Sequence, residues 1–463
     1  MKNTPKITFA IFLLILTVNI NYGQICSDNI CETGETSENC PRDCWLDTIT
    51  LFIEEGGRVD WAHDGSDLIA FDSKDSTGFY DVYTINPDGT GRTCITCDAP
   101  GLPQNHNGQP AWHPFGEWLV FQAENEHEDS TVNSGGSTPG KGGRSNLWVY
   151  SDIQEEFYQL TFLPDSDSCG VLHPHFSHDG TKLSWSEKYN TGGVIPFGQS
   201  FGVWMLKTAD FVVDGDGYPS LQNITEHQPF DEVFYENHSF TPDDSGLLFS
   251  SNINLWTLPL NSNQMVVLDL ASGNTIQLTD STYNEHAQYT PDGQKILWGT
   301  NRQNPEKGMD YWIMNTDGSN KQRITYFNDS TQYEYIPGKA YAIDMSFSAD
   351  GMKMISYVQN DLIVQEGAIY MYSFKDCATI NEHILKDYEP VIYPNPAYGT
   401  IRIEGLKNSG IVDIHICDLS GKVLKSFIYN ANDEIDISDL STGFYIIRIE
   451  QDKMICFDKF LKM

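Results

Sequence analysis

The sequence predicts an all-β chain, a six-bladed β-propeller followed by a small β-sandwich. One short pattern, an aromatic residue followed by a turn, occurs six times at similar intervals, beginning at Trp61, Trp112, Phe176, Phe240, Tyr289 and Phe347. Asp-Gly in four of these turns permits the positive φ of a tight hairpin, and apolar runs with alternating polarity follow each turn. Self-similarity at about 50 residues is typical of propeller blades.

The composition agrees with an exported globular protein. The chain has 463 residues, of which 40% are hydrophobic and 12% aromatic, enough for a large core. Its 64 acidic and 28 basic residues give a formal net charge of −36. Such a chain is repelled by phosphate backbones, which excludes nucleic acid as a partner. The acidity favours cations such as calcium, or it serves solubility alone.

The N-terminus has the pattern of a secretory signal peptide. Lys2 and Lys6 precede an apolar run from Ile7 to Ile20 that is too short to span a bilayer comfortably. We expect residues 1–24 to be removed, the alternative being a retained anchor. Apart from this run, no segment of the sequence is long and apolar enough to cross a membrane.

A cysteine-rich segment is predicted over residues 25–45. Its cysteines, Cys26, Cys31, Cys40 and Cys44, lie too close in sequence to surround a core, so an exported chain should pair them as disulfides. The segment resembles a small Cys-rich motif of secreted bacterial proteins. Its acids, Asp28, Glu32, Glu35 and Asp43, offer oxygen ligands for calcium, or they are solvated charges on a stapled spacer.

The repeats occupy residues 46–376. A third strand and often a fourth, ending in Leu-Thr or Ile-Thr, complete each copy, and the stretch Asp310 to Thr325 resembles the repeat of TolB-like propellers, a WD40-like repeat. The last copy stops after its third strand, so the strand-like segment Thr48 to Ile53 is expected to supply its outer strand and close the ring. Two Gly-rich inserts, 124–145 and 189–199, are expected to be mobile surface loops.

The remainder comprises a linker, 377–391, and a small domain, 392–463. Short strand-like segments with turns at Ser420-Gly421 and Thr442-Gly443 predict a small antiparallel sandwich. The domain also contains, in this order, Tyr393-Pro-Asn-Pro396, the turn at Asp418 to Lys422 and the strand around Tyr445. In these motifs the domain resembles the C-terminal sorting domain of type IX secretion. The resemblance implies a Bacteroidetes-type bacterium and export by the type IX machinery. It also implies a secreted or surface location, peripheral to the outer membrane.

The inner strand of each blade lines the central channel, so residues at one offset should form a ring. Three residues before the aromatic, every blade has a polar side chain: Arg58, Gln109, His173, Asn237, His286 and Asp344. One residue before it, His175 should point the same way as His173 because strand side chains alternate. The intervening positions are mostly apolar and are expected to pack between blades.

The ring histidines suggest a metal site. His173, His175 and His286 can bind zinc or manganese, and Gln109 and Asp344 can join them. Here the chain resembles oligogalacturonate lyases, seven-bladed propellers that hold manganese with histidines and a glutamine, which would give Arg58 the role of binding a uronate carboxylate. The alternative is a polar, water-filled channel. His106 and Glu285 are secondary candidates near the same rim.

Other motifs are less informative. Gly198 to Gly202 matches a nucleophile elbow but continues into a strand rather than a helix, which argues against a serine hydrolase. Asp214-Gly-Asp216 lacks the later ligands of a calcium loop and is expected to be a turn. Cys94 and Cys97 should form a short structural disulfide. Pairing of Cys169, Cys377, Cys417 and Cys456 does not follow from the sequence.

The resulting hypothesis is an exported propeller that binds a glycan, a peptide or a protein ligand. The competing hypothesis is a metal-dependent enzyme, for example a polysaccharide lyase of the oligogalacturonate type. A third class is a scaffold with no ligand.

Overall fold

The structure is a computed structural model. It describes residues 31, 35–126, 136–191, 202–230, 233–252, 263–304, 308–361, 366–375, 391–395, 397–404, 412–417, 423–429, 434–441, 443–451 and 454–462. The predicted signal peptide, 377–390 of the predicted linker, Asp28, Glu32 and Cys26 lie outside these residues. No helix among the described residues is long and apolar enough to cross a bilayer.

Two elements precede the first repeat. A single turn of helix, α1 (Pro41–Cys44), leads directly into the strand β1 (Leu46–Ile53). The disulfide Cys31–Cys44 and a second disulfide, made by Cys40, hold this region together.

The repeats form four-stranded antiparallel sheets in which the inner strand comes first in the chain. The first three sheets are β2 (Val59–Trp61), β3 (Ile69–Lys74), β4 (Tyr80–Ile85) and β5 (Thr93–Cys94); β6 (Asn107–Trp112), β7 (Trp118–Glu124), β8 (Ser145–Ser151) and β9 (Glu156–Gln159); and β10 (Gly170–Phe176), β11 (Lys182–Asn190), β12 (Val203–Val213) and β13 (Pro219–His227). Each predicted aromatic is the last residue of an inner strand.

The next sheets repeat this order. They are β14 (Tyr235–Phe240), β15 (Gly246–Ser251), β16 (Gln264–Asp269) and β17 (Thr275–Gln277); β18 (Asn284–Tyr289), β19 (Lys295–Thr300), β20 (Asp310–Asn315) and β21 (Gln322–Arg323); and β22 (Tyr341–Phe347), β23 (Lys353–Asp361) and β24 (Glu366–Phe374). The outer strand of the last sheet is β1, which pairs antiparallel with β24. The predicted segment Thr48 to Ile53 therefore does close the ring.

The described sheets stand around a common axis. Each inner strand contacts the inner strand of the next sheet, and β22 contacts β2. Apolar side chains from neighbouring sheets share each cluster, as where Val120 of β7 packs with Val171 and Trp185 of the following sheet. Burying such side chains stabilises the fold by about 1.5–3 kcal/mol each, so the core lies between the blades and leaves the axis to polar groups.

One predicted surface loop is partly buried. Residues 136–145, the second half of the insert 124–145, contain the buried Ser137, Pro139 and Gly142, and Gln122 Nε2 donates to the Ser137 carbonyl over 2.9 Å. Gly108 leaves room for Pro139, since a Cβ there would lie 2.3 Å from the proline ring. The prediction of a mobile surface loop is wrong for these residues, because the segment packs over the start of the inner strands.

The C-terminal domain is a small all-β unit with an isoleucine-rich core. One sheet has the order β25 (Val391–Tyr393), β26 (Thr400–Glu404) and β29 (Ile435–Asp436). The other consists of β28 (Val423–Tyr429), β27 (Val412–Cys417), β30 (Gly443–Gln451) and β31 (Met454–Lys462). Ile401, Ile414 and Ile447 are fully buried between them, as the predicted sandwich requires.

Candidate functional site

The inner strands carry β-bulges at the ring position. The pairing register shifts in β6, β10, β14, β18 and β22, each time next to or at the predicted ring residue. Gln109, His173 and His286 have φ values of 52°, 48° and 49°, a left-handed conformation that is uncommon for such residues. A bulge re-aims a side chain, and here it turns these side chains toward the axis.

A narrow cavity lies on the axis, with about 30 Å³ of space for solvent. Of the predicted ring residues, Arg58, Gln109, His173, His286 and Asp344 line it, and so does His175. Asn237 does not line it. Its Nδ2 donates instead to the His173 carbonyl over 3.0 Å and to the Ser184 hydroxyl over 2.9 Å, so Asn237 supports the His173 backbone.

The intervening positions also line the cavity. Val59, Pro110, Pro174, His238, Ala287 and Met345 were expected to pack between blades, and Val59, Ala287 and Met345 do belong to the apolar clusters that neighbouring sheets share. All six also border the cavity. In the bulged strands an extra residue breaks the strict alternation of side chains, which brings residues such as His238 to the cavity. His238 thereby becomes a member of the site.

Asp344 is the centre of the cluster. Its Oδ1 lies 2.8 Å from His286 Nδ1 and 3.7 Å from His173 Nδ1, and its Oδ2 lies 3.4 Å from Arg58 Nε. Burial alone would raise the pKa of Asp344, but His286, His173 and Arg58 outweigh burial and hold this pKa far below its usual range. The carboxylate is therefore ionised.

The two imidazoles beside Asp344 contact further carboxylates. Glu236 Oε1 lies 2.8 Å from His173 Nε2 and 3.9 Å from His286 Nδ1, while Glu285 Oε2 lies 3.4 Å from His286 Nε2. Burial would lower the pKa of His286, but Asp344 and Glu236 raise it well above the ordinary value, so His286 is a cation at neutral pH. Conversely, burial would raise the pKa of Glu236, and His286 and His173 bring it below its usual range.

Glu236 was missed in the sequence and Glu285 was only a secondary candidate. Both stand one residue before the ring position, where the other inner strands have Gly57, Gly108, Leu172 and Ile343. An acidic residue at an otherwise uncharged position was the signal that could have identified Glu236.

Three imidazoles form a triangle across the channel. The ring centroids of His173, His238 and His286 are separated by 5.9 to 6.2 Å. Burial lowers the pKa of His238 to about 3, so this imidazole is neutral. The structure groups His173 with His238 and His286 rather than with His175, whose pKa burial also lowers to about 3.

The cluster has a donor set that suits a divalent cation. Ligand atoms of His173, His286 and Asp344 lie within 4.8 Å of one another, and so do those of Glu236, Glu285 and His286. Two imidazole nitrogens and a carboxylate are ligands of zinc and manganese. The residues present therefore fit such an ion.

Arg58 is enclosed rather than free to receive a substrate carboxylate. It lies beside Asp344, its guanidinium stacks 5.5 Å from the Tyr357 ring, and its backbone N–H donates to Asp72. Burial would lower the pKa of Arg58, but Asp344 and Asp72 raise it, so the charge persists. Gly140 closes the far side, since a Cβ there would lie 1.7 Å from the guanidinium.

The remaining candidate residues lie away from the channel cluster. Glu35 and Asp43 are buried, and their carboxylates lie within 4.8 Å of each other beside the disulfide-bonded Cys40. Asp28 and Glu32 lie outside the described residues, so the calcium site stays a prediction. His106 is buried among Phe79 and Tyr80 and its Nδ1 accepts the Tyr80 backbone N–H over 3.2 Å. Cys94 and Cys97 form the expected disulfide.

Residues 391–463 match the family model described as "Secretion system C-terminal sorting domain". The chain carries a type IX sorting domain. It is thus exported to the cell surface or the extracellular space, and it engages the type IX machinery on the way. A search of curated proteins found no match.

Solved structures with a similar fold include TolB-type propellers. TolB from Acinetobacter baumannii is 14% identical with a TM-score of 0.43, and the match covers 67% of this chain and 64% of TolB. For a putative TolB from Agrobacterium tumefaciens the identity is 14%, the TM-score 0.39 and the coverage 82% and 96%. An oligogalacturonate lyase in complex with manganese is 12% identical with a TM-score of 0.41, covering 71% and 93%.

Proposed function

We propose that the exported propeller is a binding protein whose channel mouth recognises a glycan, a peptide or a protein ligand. The mouth in question is the one at which the inner strands begin, where Pro139 and Gly140 of residues 136–145 lie against Gly108 and Arg58. The connections between second and third strands, including the insert that contains 136–145, return to the same face.

The observation that carries the proposal is a set of buried polar atoms without partners. Gln109 Nε2 and His238 Nε2 are both buried and make no hydrogen bond, and both residues line the cavity. Leaving such groups unsatisfied costs about 1–3 kcal/mol each, so a ligand that supplies the missing partners recovers this energy.

The dimensions favour binding at the mouth over chemistry on a sugar ring inside the channel. About 30 Å³ of solvent space admits a water molecule or a small ion. The charged groups are also engaged with one another, Asp344 with His286 and Arg58, and Glu236 with His173. These pairs hold the charged side chains in place. The Gln109 amide and the His238 imidazole remain to form hydrogen bonds with the ligand.

A thermal-shift screen of the purified chain against glycan fragments and peptides tests this proposal, since a bound ligand raises Tm by mass action. The matched variants are Gln109→Ala in the channel and Gln294→Ala in an exposed turn of the fifth sheet. We expect a stabilising ligand for the wild type, an unchanged shift in Q294A and a much smaller shift in Q109A. Equal shifts in Q109A and Q294A, or no shift with any compound, would favour a scaffold instead.

A second candidate function is supported by the spacing of His173, His286 and Asp344. In a metal-dependent enzyme, for example one of the oligogalacturonate-lyase type, these residues would hold zinc or manganese. The ion would act as a Lewis acid beside a uronate carboxylate. Arg58 would then orient Asp344 rather than contact the substrate, because its guanidinium is enclosed by Tyr357 and Gly140.

Metal analysis separates the two candidates. The enzyme candidate predicts one zinc or manganese per chain, lost in His286→Ala and retained in His178→Ala, whose imidazole is exposed and pairs with Asp244. It also predicts unsaturated products from oligogalacturonate, detectable by ultraviolet absorbance. A metal-free protein without this activity leaves the binding proposal in place.

A further inference from the structure

The cysteine-rich segment docks on the outer edge of the fifth sheet. The Glu38 carbonyl accepts hydrogen bonds from Gln322 Nε2 over 2.7 Å and from Asn320 Nδ2 over 3.1 Å. Arg42 Nη1 donates to the Ile324 carbonyl over 3.1 Å. Arg42 Nη2 lies 2.7 Å from Glu334, with both side chains 2% exposed. These contacts hold α1 against the hairpin of β20 and β21.

A pocket of about 240 Å³ lies between α1 and this hairpin. Its charged lining residues are Arg42, Lys321 and Arg323, and none of the described residues that line it is acidic. This is unusual in a chain with a net charge of −36. The pocket is also lined by the aromatic rings of Trp312 and Tyr326 and by Gln322.

The acidic groups near the pocket lie behind its cations. Asp310 Oδ2 is 2.8 Å from Arg323 Nη2, and Glu334 contacts Arg42. Burial lowers the pKa of Lys321, with Arg302 acting in the same direction and Asp280 and Asp317 opposing. Asp310 and Glu334 therefore neutralise the guanidinium groups of Arg323 and Arg42 without filling the pocket.

Two buried donors facing this region have no acceptor. Trp312 is 3% exposed and its Nε1 makes no hydrogen bond, and Arg42 Nε likewise lacks one. An indole N–H can only donate, and a guanidinium has no acceptor, so neither can be satisfied by the other. The Trp312 N–H can therefore be satisfied by an acceptor that enters the pocket, whereas the Arg42 guanidinium already donates to the Ile324 carbonyl and pairs with Glu334.

We infer that this pocket is a second ligand site, specific for a small oxyanion group such as the carboxylate or sulfate of a single acidic sugar. Lys321 supplies a charge-assisted donor for its oxygens and the Trp312 N–H a neutral one, while Arg42 holds α1 in place behind them. The Tyr326 ring offers an apolar face for the remainder of the ligand. The volume is below the range of about 300–1,000 Å³ typical of drug-sized sites, which limits the ligand to about one sugar residue.

The site is separate from the channel, so its occupancy does not depend on the function proposed there. The test is isothermal titration of the full secreted chain with D-galacturonate, D-galactose 6-sulfate and neutral D-galactose. The first two probes distinguish a carboxylate from a sulfate source. The third measures what the sugar ring contributes without the anion.

Three variants localise the binding. Lys321→Gln removes a pocket cation, Trp312→Phe removes only the indole donor, and Lys339→Gln makes the same charge change at an exposed position outside the pocket. We expect at least one acidic sugar to bind the wild type and galactose not to bind. Losing a hydrogen bond to a charged group costs about 1.5–3 kcal/mol, so Kd should rise at least about ten-fold in K321Q. Trp312→Phe should weaken binding in the same direction, and K339Q and the channel variant His286→Ala should bind as the wild type does.

The inference is overturned if neither acidic sugar binds the wild type, if K321Q and W312F both bind as tightly as K339Q, or if His286→Ala abolishes binding. Trp312→Phe keeps the test informative should K321Q fail to fold, since it removes one N–H and retains an aromatic ring in the core.

Discussion

Oδ1 of Asp344 lies 2.8 Å from Nδ1 of His286, which joins the last inner strand, β22, to β18 across their boundary. The same oxygen is 3.7 Å from His173 on β10, on the other side of the channel. One carboxylate therefore connects three inner strands. Its loss should affect both the charge state of His286 and the stability of the ring.

Replacing Asp344 by Asn should lower the pKa of His286. The carboxylate is the main favourable partner that keeps this buried imidazole charged, so without it burial dominates. Histidine-selective NMR titration of the wild type and D344N measures the change directly. Asp165→Asn, which removes an exposed partner of Arg144, is the control and should leave the His286 titration unchanged. A His286 pKa equal in wild type and D344N would contradict the assignment.

Asp72 should make the stability depend on pH. Burial raises its pKa to about 6 from 3.8, opposed by Arg58 and by the backbone N–H groups of Gln109 and Arg58. Because the folded-state pKa is the higher one, this contribution is fully present below pH 3.8 and is lost as pH rises through about 6. The free energy of unfolding should therefore gain about 1.4 kcal/mol from Asp72 between pH 8 and pH 5.

Urea unfolding of the wild type and Asp72→Asn at pH 8 and pH 5 isolates this contribution, since other groups titrate alike in both. The unfolding free energy of the wild type minus that of D72N should rise by about 1.4 kcal/mol from pH 8 to pH 5. A difference that is constant or shrinks as pH falls would show that Asp72 does not titrate in this range.

Gly140→Ala should destabilise the protein much more than Gly136→Ala. Gly140 has φ of 84°, and an added Cβ would meet Arg58 at 1.7 Å, whereas a Cβ at Gly136 meets nothing within 4 Å. A left-handed alanine costs about 1–2 kcal/mol before the clash is counted. Unfolding free energies of the two variants provide the comparison. Equal values would mean that residues 136–145 do not cover Arg58.

Arg42→Met should loosen the cysteine-rich segment. Removing one partner of a buried ion pair costs about 3–5 kcal/mol, because Glu334 is left buried and uncompensated. We expect faster proteolysis between Cys44 and Leu46 by a limiting amount of protease, while the blades stay intact. Arg402→Met, whose partner Glu434 is half exposed, is the control. Unchanged cleavage in R42M would show that the Arg42–Glu334 pair does not hold the segment.

The sequence repeats were sufficient to predict the blades, the closing strand β1 and most of the ring. A strand period of two predicted that His175 accompanies His173, and both residues do border the cavity. It also predicted that His238 packs between blades, whereas His238 borders the cavity too. The bulges, with positive φ at residues such as Gln109 and His173, break the alternation and account for that difference. Long-range packing accounts for the rest, because no local pattern indicates that Pro139 rests on Gly108 or that Arg42 reaches Glu334.

The most direct test of the channel cluster is a double-mutant cycle on His286 and Asp344. Unfolding free energies of the wild type, His286→Gln, Asp344→Asn and the double variant yield the coupling between the two side chains. Contacting charged groups in one network couple by about 0.5–3 kcal/mol, and burial places the expected value near the upper end. Additive effects, with a coupling of less than about 0.5 kcal/mol, would contradict a cluster centred on Asp344.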